Sequence, residues 1–173
     1  HITKAGGDSE LVQFHPSYAY EDFFEGFRPA AGLAGTVTFE LKPGPLRRIA
    51  QLASNDPGSP YVLIIDEINR ANLAKVFGEL YFLLEYRGRA ITLQYSDEEF
   101  SLPENLYIIG TMNTADRSIA LVDAAMRRRF YFVAMSPDRE PVAGLLRAWL
   151  RGSGHPSELA ELLDELNQRI GDP

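Results

Sequence analysis

Four short apolar runs, rich in β-branched and aromatic residues, occur along the chain and predict β-strands. They cover residues 11–14, 61–65, 106–111 and 130–133. Three of them contain almost no polar residue, which is typical of strands that are buried on both faces of a parallel sheet. Because helical patterns separate the runs, the sequence predicts an α/β fold in which helices flank a parallel sheet.

Two helices are predicted between these strands from apolar residues at helical spacing. The longer one covers residues 73–84, with Asn72 placed as its N-cap. The shorter one covers residues 46–53, with Pro45 in its first turn. An aromatic stripe at i, i+3, i+4 and i+7 over residues 20–27 predicts a further helix that packs into the core.

Patterns outside this plan predict three additional features. Residues 36–41 alternate between apolar and polar side chains, which indicates a half-exposed strand. Residues 91–102 predict a β-hairpin with its turn at residues 96–99. After residue 136 only two helical stripes remain, so a small helical unit is predicted to begin at about residue 137.

Composition narrows the classes of protein to which this chain can belong. Of its 173 residues, 45% are hydrophobic and 24% are charged, which is typical of a globular domain with a sizeable core. No apolar run approaches about 18 residues, so no membrane span is predicted. The chain has no cysteine, which excludes disulfides and thiolate metal sites and favours a cytoplasmic location. Its formal charge of −7 argues against a main nucleic-acid-binding surface, so DNA contacts are expected outside this chain.

Two carboxylates, Asp66 and Glu67, follow the second predicted strand. In open α/β sheets, ligands bind beyond the carboxyl ends of the strands, so chemistry is expected at this point. Asp66 is suited to hold Mg²⁺, directly or through water, and Glu67 is suited to accept a proton from an attacking water. The alternative, from these residues alone, is a pair of solvated acids at a strand end.

A polar residue, Asn113, ends the next predicted strand, and three arginines, at 127–129, end a short predicted helix. A strand-terminal asparagine can orient water or a phosphate, although it is more often a turn former. The helix dipole stabilises cations at a helix C-terminus by about 0.3–1 kcal/mol, yet three consecutive arginines point in different directions around a helix. The planar arginine fork also suits phosphate oxygens.

The segments around these residues resemble a known family. Residues 66–72, DEINRAN, resemble the Walker B segment of AAA+ proteins, and residues 112–118, MNTADRS, match the signature of McrB-type GTPases. The resemblance implies that Asn113 is the sensor 1 residue, which is tied to nucleotide hydrolysis. It also implies that Asp116 and Arg117 support the nucleotide site.

For the basic helix end, the resemblance implies an arginine finger, which reaches into the nucleotide site of a neighbouring subunit. Arg127 and Arg128 are both candidates, and the sequence does not separate them, whereas Arg129 is the candidate for a structural role. The hairpin at residues 91–102 corresponds to the pre-sensor-1 hairpin of AAA+ relatives. Its turn either projects toward a central pore, as in those relatives, or is simply solvated.

The fold implied by this resemblance is an AAA+ P-loop NTPase core, with a parallel sheet flanked by helices, followed by the start of a small helical lid. We assign residues 1–136 to a partial nucleotide-binding core and residues 137–173 to a partial lid. The pattern Gly-x-x-x-x-Gly-Lys-Ser/Thr does not occur in the chain, so the P-loop and its preceding strand are expected upstream of His1. We therefore expect that these 173 residues alone do not hydrolyse nucleotide.

The function implied by the resemblance is that of a motor subunit in a modification-dependent restriction system. It includes binding and hydrolysis of GTP, or of ATP, with Mg²⁺ between the subunits of a ring, expected to be a hexamer. It also includes a McrC-like nuclease subunit as the partner, for which the ring drives DNA translocation. Two alternatives stay open: an AAA+ chaperone that remodels proteins, and a P-loop-less scaffold without catalysis.

Overall fold

The computed structural model describes residues 2–31, 36–113 and 124–171. The chain divides into two compact units, His1–Arg129 and Phe130–Pro173. The sequence places this boundary after residue 136, and the assignment of the parts as nucleotide-binding core and lid stays a prediction. Besides short 3-10 turns, the elements of the first unit are β1 (Asp8–Gln13), α1 (Tyr20–Phe23), β2 (Glu25–Ala31), β3 (Val37–Pro43), α2 (Pro45–Asn55), β4 (Tyr61–Asp66), α3 (Leu73–Phe77), α4 (Tyr81–Glu85), β5 (Ile91–Thr92), β6 (Glu99–Phe100), β7 (Leu106–Gly110) and α5 (Ala124–Arg127).

Three of the four predicted strands form one parallel sheet, in the order β1-β4-β7. β4 is the middle strand, and its register pairs Ile65 with Val12 of β1 and with Gly110 of β7. Leu63 and Ile65 are completely buried, because neighbouring strands and helix α2 cover them. The predicted α/β fold is confirmed, and α2 begins at Pro45 as the sequence indicates. Burial on both faces holds for β4 but not for the outer strands of this sheet, since Leu11 of β1 is 68% exposed and Ile109 of β7 is 50% exposed.

The fourth predicted strand, at residues 130–133, is wrong. This segment has no regular secondary structure, and its side chains are largely exposed, Tyr131 completely and Val133 by 66%. A strand is stable only when its backbone groups pair with a neighbour. No strand in the part of the chain that the structure describes pairs with this segment, so its β-rich composition alone does not produce a strand.

The predicted helix over residues 20–27 is also wrong beyond its first turn. Helix α1 ends at Phe23, and the residues after it form β2, which pairs antiparallel with the predicted strand β3. Gly26 disfavours a helix, and a Cβ atom at this position would approach the Cβ of Glu21 to 2.6 Å. Phe27 is consequently 50% exposed on a β-hairpin rather than part of the core.

The predicted helix over residues 73–84 is interrupted in its middle. Asn72 is its N-cap, as predicted, and its side-chain oxygen accepts a hydrogen bond of 3.1 Å from the Lys75 amide. Gly78 then adopts a φ of +49° and a ψ of −129°, a glycine conformation in which an α-helix does not continue. The apolar stripe is therefore divided between α3, a 3-10 turn and α4.

The predicted hairpin at residues 91–102 is confirmed, but its strands β5 and β6 have two residues each, so the connection covers residues 93–98 rather than the predicted 96–99. Its turn is anchored to other elements of the first unit: the Tyr95 hydroxyl donates to Glu21 at 2.7 Å and the Ser96 amide donates to Glu25 at 3.1 Å. The hydrogen bond from Tyr95 lowers the pKa of the Glu21 carboxyl. Asp97, Glu98 and Glu99 are nevertheless exposed, so the solvated turn and its position at a central pore both stay predictions.

A partly buried amide connects the start of β7 to the segment before β4. The Asn105 Nδ2 atom lies 2.8–3.0 Å from the carbonyl oxygens of Ala53, Asp56 and Ser59. We expect Asn105→Ala to lower the free energy of unfolding by about 1–3 kcal/mol, because these carbonyls lose their donor. Urea unfolding followed by circular dichroism measures the loss. Glu104→Ala is the exposed control, and an unchanged unfolding midpoint for Asn105→Ala would contradict the expectation.

The second unit contains α6 (Leu145–Gly152) and α7 (Glu158–Gly171), as the two helical stripes in the sequence indicate. Leu150 and Ala160 are buried within this unit, and Arg147 pairs with Asp164 at 2.9 Å. In neither unit does a described helix have both the length and the apolar character that a membrane crossing requires.

Candidate functional site

Polar side chains gather at one edge of the parallel sheet. Because β1, β4 and β7 run in the same direction, their carboxyl ends meet at this edge. The register of β1 with β4 places Gln13 beside Asp66, and Thr111 follows the last residue of β7. The chain continues from these strands into Glu67 and Asn113. The sheet thus brings both predicted carboxylates and the predicted sensor residue to one edge.

Asp66 is held by a hydrogen bond at each carboxylate oxygen. The Thr111 hydroxyl donates to Oδ1 at 2.6 Å, and the Gln13 Nε2 atom donates to Oδ2 at 3.0 Å. Both donors are neutral, so they order the carboxylate without offsetting its charge. The sequence analysis did not identify Gln13 or Thr111 as site residues. The signal that could have identified them is their place at the ends of the predicted strands on either side of Asp66.

Glu67 leaves the sheet in a different direction. Its backbone adopts φ 54° and ψ 45°, the left-handed region, and begins a 3-10 turn, Ile68–Arg70. The Arg70 Nε atom lies 3.1 Å from Oε2 of Glu67, within ion-pair distance. Oε2 is nevertheless buried without an aligned hydrogen-bond donor. The Arg70 Nη2 atom also donates to Oε1 of Glu67 at 3.4 Å, so one cationic neighbour contacts both carboxylate oxygens.

Asn113 is tied to the turn that follows Glu67. The Asn69 Nδ2 atom donates to the Asn113 backbone carbonyl at 3.4 Å. Asn69 is 8% exposed, and its Oδ1 atom has no hydrogen-bond partner. Sequence reasoning did not single out Asn69, although its place within the DEINRAN segment was a signal. The two other predicted residues of this loop, Asp116 and Arg117, lie outside the described residues.

The three arginines differ in their surroundings. Arg127, the last residue of α5, is exposed, and the side chain of Arg128 is 66% exposed and lies 4.0 Å from the Glu85 carboxylate. Arg129 is 10% exposed, donates to Glu85 at 2.6 Å and lies 4.7 Å above the Tyr81 ring. The structural role predicted for Arg129 is confirmed by these contacts with α4.

The edge of the sheet fits a magnesium ion that receives most of its ligands from a bound molecule. Among the residues that the structure describes, no three Asp, Glu or His side chains are close enough to hold an ion by themselves. Mg²⁺ is commonly bound by one or two carboxylates together with phosphate oxygens and water. Asp66 supplies such a carboxylate, with only neutral hydrogen-bond donors on it.

Comparison with known proteins relates the chain to a family and to two restriction enzyme components. Residues 1–130 match the AAA domain family (dynein-related subfamily). The chain is 45% identical, over 179 residues, to the type IV methyl-directed restriction enzyme EcoKMcrB subunit of Escherichia coli (strain K12), with 96% of this chain and 37% of that protein covered. It is 28% identical, over 188 residues, to the type II restriction enzyme BsuMI component YdiS of Bacillus subtilis (strain 168), with 96% and 51% covered. The chain thus spans about half or less of the length of these curated relatives.

A solved structure of a protein from Cytophaga hutchinsonii is also similar, with a TM-score of 0.47 and 22% sequence identity. The match covers 71% of this chain and 32% of that chain.

Proposed function

Since this chain belongs to the AAA domain family, in its dynein-related subfamily, we propose that it forms part of a Mg²⁺-dependent nucleoside triphosphatase in a restriction system. The observation that carries the proposal is the position of Asp66, Glu67 and Asn113 at one edge of the parallel sheet. The resemblance to McrB-type proteins is confirmed by the 45% identity. Both named relatives are restriction enzyme components by name, which favours this setting over protein remodelling.

The proposed chemistry assigns a separate task to each residue at the sheet edge. Asp66 holds Mg²⁺, which, when bound, offsets negative charge on the transferred phosphoryl group. Glu67 accepts a proton from the attacking water, and its position directly after Asp66 at the sheet edge supports this role. Asn113 orients that water or contacts the γ-phosphate. Asp116 and Arg117 are proposed to shape the loop that follows Asn113.

A catalytic role accounts for Glu67 better than a scaffold role does. Its left-handed backbone conformation destabilises the folded chain by about 1–2 kcal/mol, because the residue is not glycine. A scaffold without catalysis would gain only the partly exposed ion pair with Arg70, which is worth about 0–1 kcal/mol. An enzyme gains a base whose position is fixed next to the metal-binding carboxylate.

We further propose that the protein acts as a ring of identical subunits, with a hexamer as the expected size. In the ring, Arg127 or Arg128 reaches the nucleotide of the next subunit, and the exposure of both side chains supports this role. GTP is the favoured nucleotide and ATP the alternative. A McrC-like nuclease is the proposed partner, with DNA bound through regions outside this chain and translocated for that nuclease. A cytoplasmic location is part of the same proposal.

Asp66→Asn in the full-length protein tests the central assignment. We expect the rate of phosphate release at a fixed Mg²⁺ concentration to fall by about 10²-fold or more, because the variant loses the carboxylate charge that attracts the ion. Phosphate release is measured with GTP and with ATP across a Mg²⁺ titration. Asp97→Asn, at an exposed position in the β5–β6 turn, is the matched control. If Asp66→Asn keeps the wild-type rate and Mg²⁺ dependence, the proposed function loses its metal-binding residue.

A further inference from the structure

We propose that Thr111 and Gln13 are positioning residues that fix the orientation of the Asp66 carboxylate for a divalent cation. This inference rests on the proposed function, in which Asp66 binds Mg²⁺ together with a nucleoside triphosphate. It adds two residues that act through Asp66 rather than on the nucleotide. Neither residue follows from the sequence motifs that identify the acid pair.

The two hydrogen bonds reach Asp66 from opposite sides. Thr111 extends β7 and donates to Oδ1, while Gln13 ends β1 and donates to Oδ2. β1 and β7 flank β4 on its two sides, so both carboxylate oxygens are held at once. Rotation of the carboxylate about its Cβ–Cγ bond would break both contacts. The plane of the carboxylate is therefore set before a cation binds.

Thr111 is the more firmly placed of the two donors. Its amide donates to the Ile65 carbonyl at 2.9 Å, and its own carbonyl accepts from the Ile68 amide at 2.9 Å. A β-branched side chain also has few available χ1 rotamers. Gln13 has a longer and more flexible side chain, and its bond to Asp66 is longer, 3.0 Å against 2.6 Å. Removal of the threonine hydroxyl should consequently have the larger effect.

The neutrality of both donors distinguishes Asp66 from two other carboxylates of the first unit, Glu25 and Glu67. Glu25 pairs with Arg47, and Glu67 lies beside Arg70. A cationic partner would offset the negative charge that attracts Mg²⁺, whereas a hydroxyl and an amide order the carboxylate and leave its charge in place. Loss of a hydrogen-bond partner that orders a metal ligand typically weakens metal affinity or activity by about 10–100-fold.

The test measures Mn²⁺ binding to the full-length protein with a non-hydrolysable nucleotide, by electron paramagnetic resonance. Thr111→Val removes the hydroxyl with little change of shape, and we expect it to weaken Mn²⁺ affinity by about 10-fold or more. Thr111→Ser keeps the hydroxyl and should restore most of the affinity. Gln13→Met should have a smaller effect in the same direction. Thr92→Val, at an exposed threonine of β5, is the matched control.

Turnover provides a second measurement that separates a positioning role of Thr111 from a merely structural one, because only the positioning role changes the Mg²⁺ dependence alone. For Thr111→Val, the half-saturating Mg²⁺ concentration should rise in proportion to the loss of Mn²⁺ affinity. The maximal rate at saturating Mg²⁺ and the thermal unfolding midpoint should stay close to those of the wild type. Equal Mn²⁺ affinities for Thr111→Val and Thr92→Val would overturn the inference, as would a loss that Thr111→Ser does not recover.

Asp66→Asn separates this inference from the proposed function. If Asp66→Asn weakens Mn²⁺ binding and Thr111→Val does not, only the positioning role is overturned. If Asp66→Asn leaves Mn²⁺ binding unchanged, the metal role of Asp66 fails, and the positioning role fails with it.

Discussion

Glu67→Gln in the full-length protein is expected to lower the rate of nucleotide hydrolysis by about 10²–10⁴-fold, while nucleotide binding is retained. The amide has nearly the shape of the carboxylate but does not accept a proton from water. It also keeps a side-chain oxygen that can accept from Arg70, so the turn after β4 should persist. Single-turnover phosphate release measures the rate, and fluorescence of a labelled nucleotide measures binding.

Glu104→Gln is a suitable control for this variant, because Glu104 is exposed and lies in the loop before β7. It should hydrolyse nucleotide at the wild-type rate. An unchanged rate for Glu67→Gln would remove Glu67 from its assigned role. A joint loss of binding and hydrolysis would mean that Glu67 holds the nucleotide rather than the attacking water.

Replacement of the finger arginine should have an even larger effect, about 10³–10⁵-fold on the rate of hydrolysis. Arg127→Ala and Arg128→Ala are made separately, and we expect one of them to carry most of the loss. The side chain neutralises charge that develops on the phosphoryl group, and alanine has no substitute for it. Arg89→Ala, at an exposed arginine after α4, is the matched control and should be close to the wild type.

Mixing of variants shows whether this arginine acts between subunits. The finger variant retains Glu67, and Glu67→Gln retains the arginine, so a mixed ring contains interfaces that combine both intact groups. Partial recovery of hydrolysis on mixing is the expected result. If the two inactive variants remain inactive together, although they assemble into the same ring, the arginine acts within its own subunit. Wild-type rates for both Arg127→Ala and Arg128→Ala would show that neither residue is the arginine finger.

The middle of the parallel sheet was predictable because a strand that is buried on both faces leaves a continuous apolar run in a sequence. The run at residues 61–65 is β4, the middle strand of the sheet. A similar run at residues 130–133 misleads, since a strand depends on a pairing partner as well as on its own composition. The stripe at 20–27 misleads for another reason. Its aromatic spacing of i, i+3, i+4 and i+7 is typical of a helix, but the helix ends at Phe23 and Gly26 lies in the strand that follows.

The residues of the site were predictable to different degrees. Asp66, Glu67 and Asn113 are recognisable because each lies at the carboxyl end of an apolar run, where open sheets bind ligands. Gln13 and Thr111 are not, because their contact with Asp66 depends on which strands are neighbours and on the register between them. Gln13 reaches Asp66 only because β1 pairs with β4, and the residues around position 13 do not by themselves predict that pairing.

The backbone conformation of Glu67 lowers the stability of the fold, whereas its acidic side chain is suited to the proposed chemistry. At φ 54° and ψ 45°, glycine is the residue that the geometry prefers. Replacement by glycine would relieve this conformation but would also remove the carboxylate and its ion pair with Arg70. If Glu67 is the proposed base, heat resistance and turnover therefore make opposite demands on this position, and a stabilised Glu67→Gly variant would be inactive.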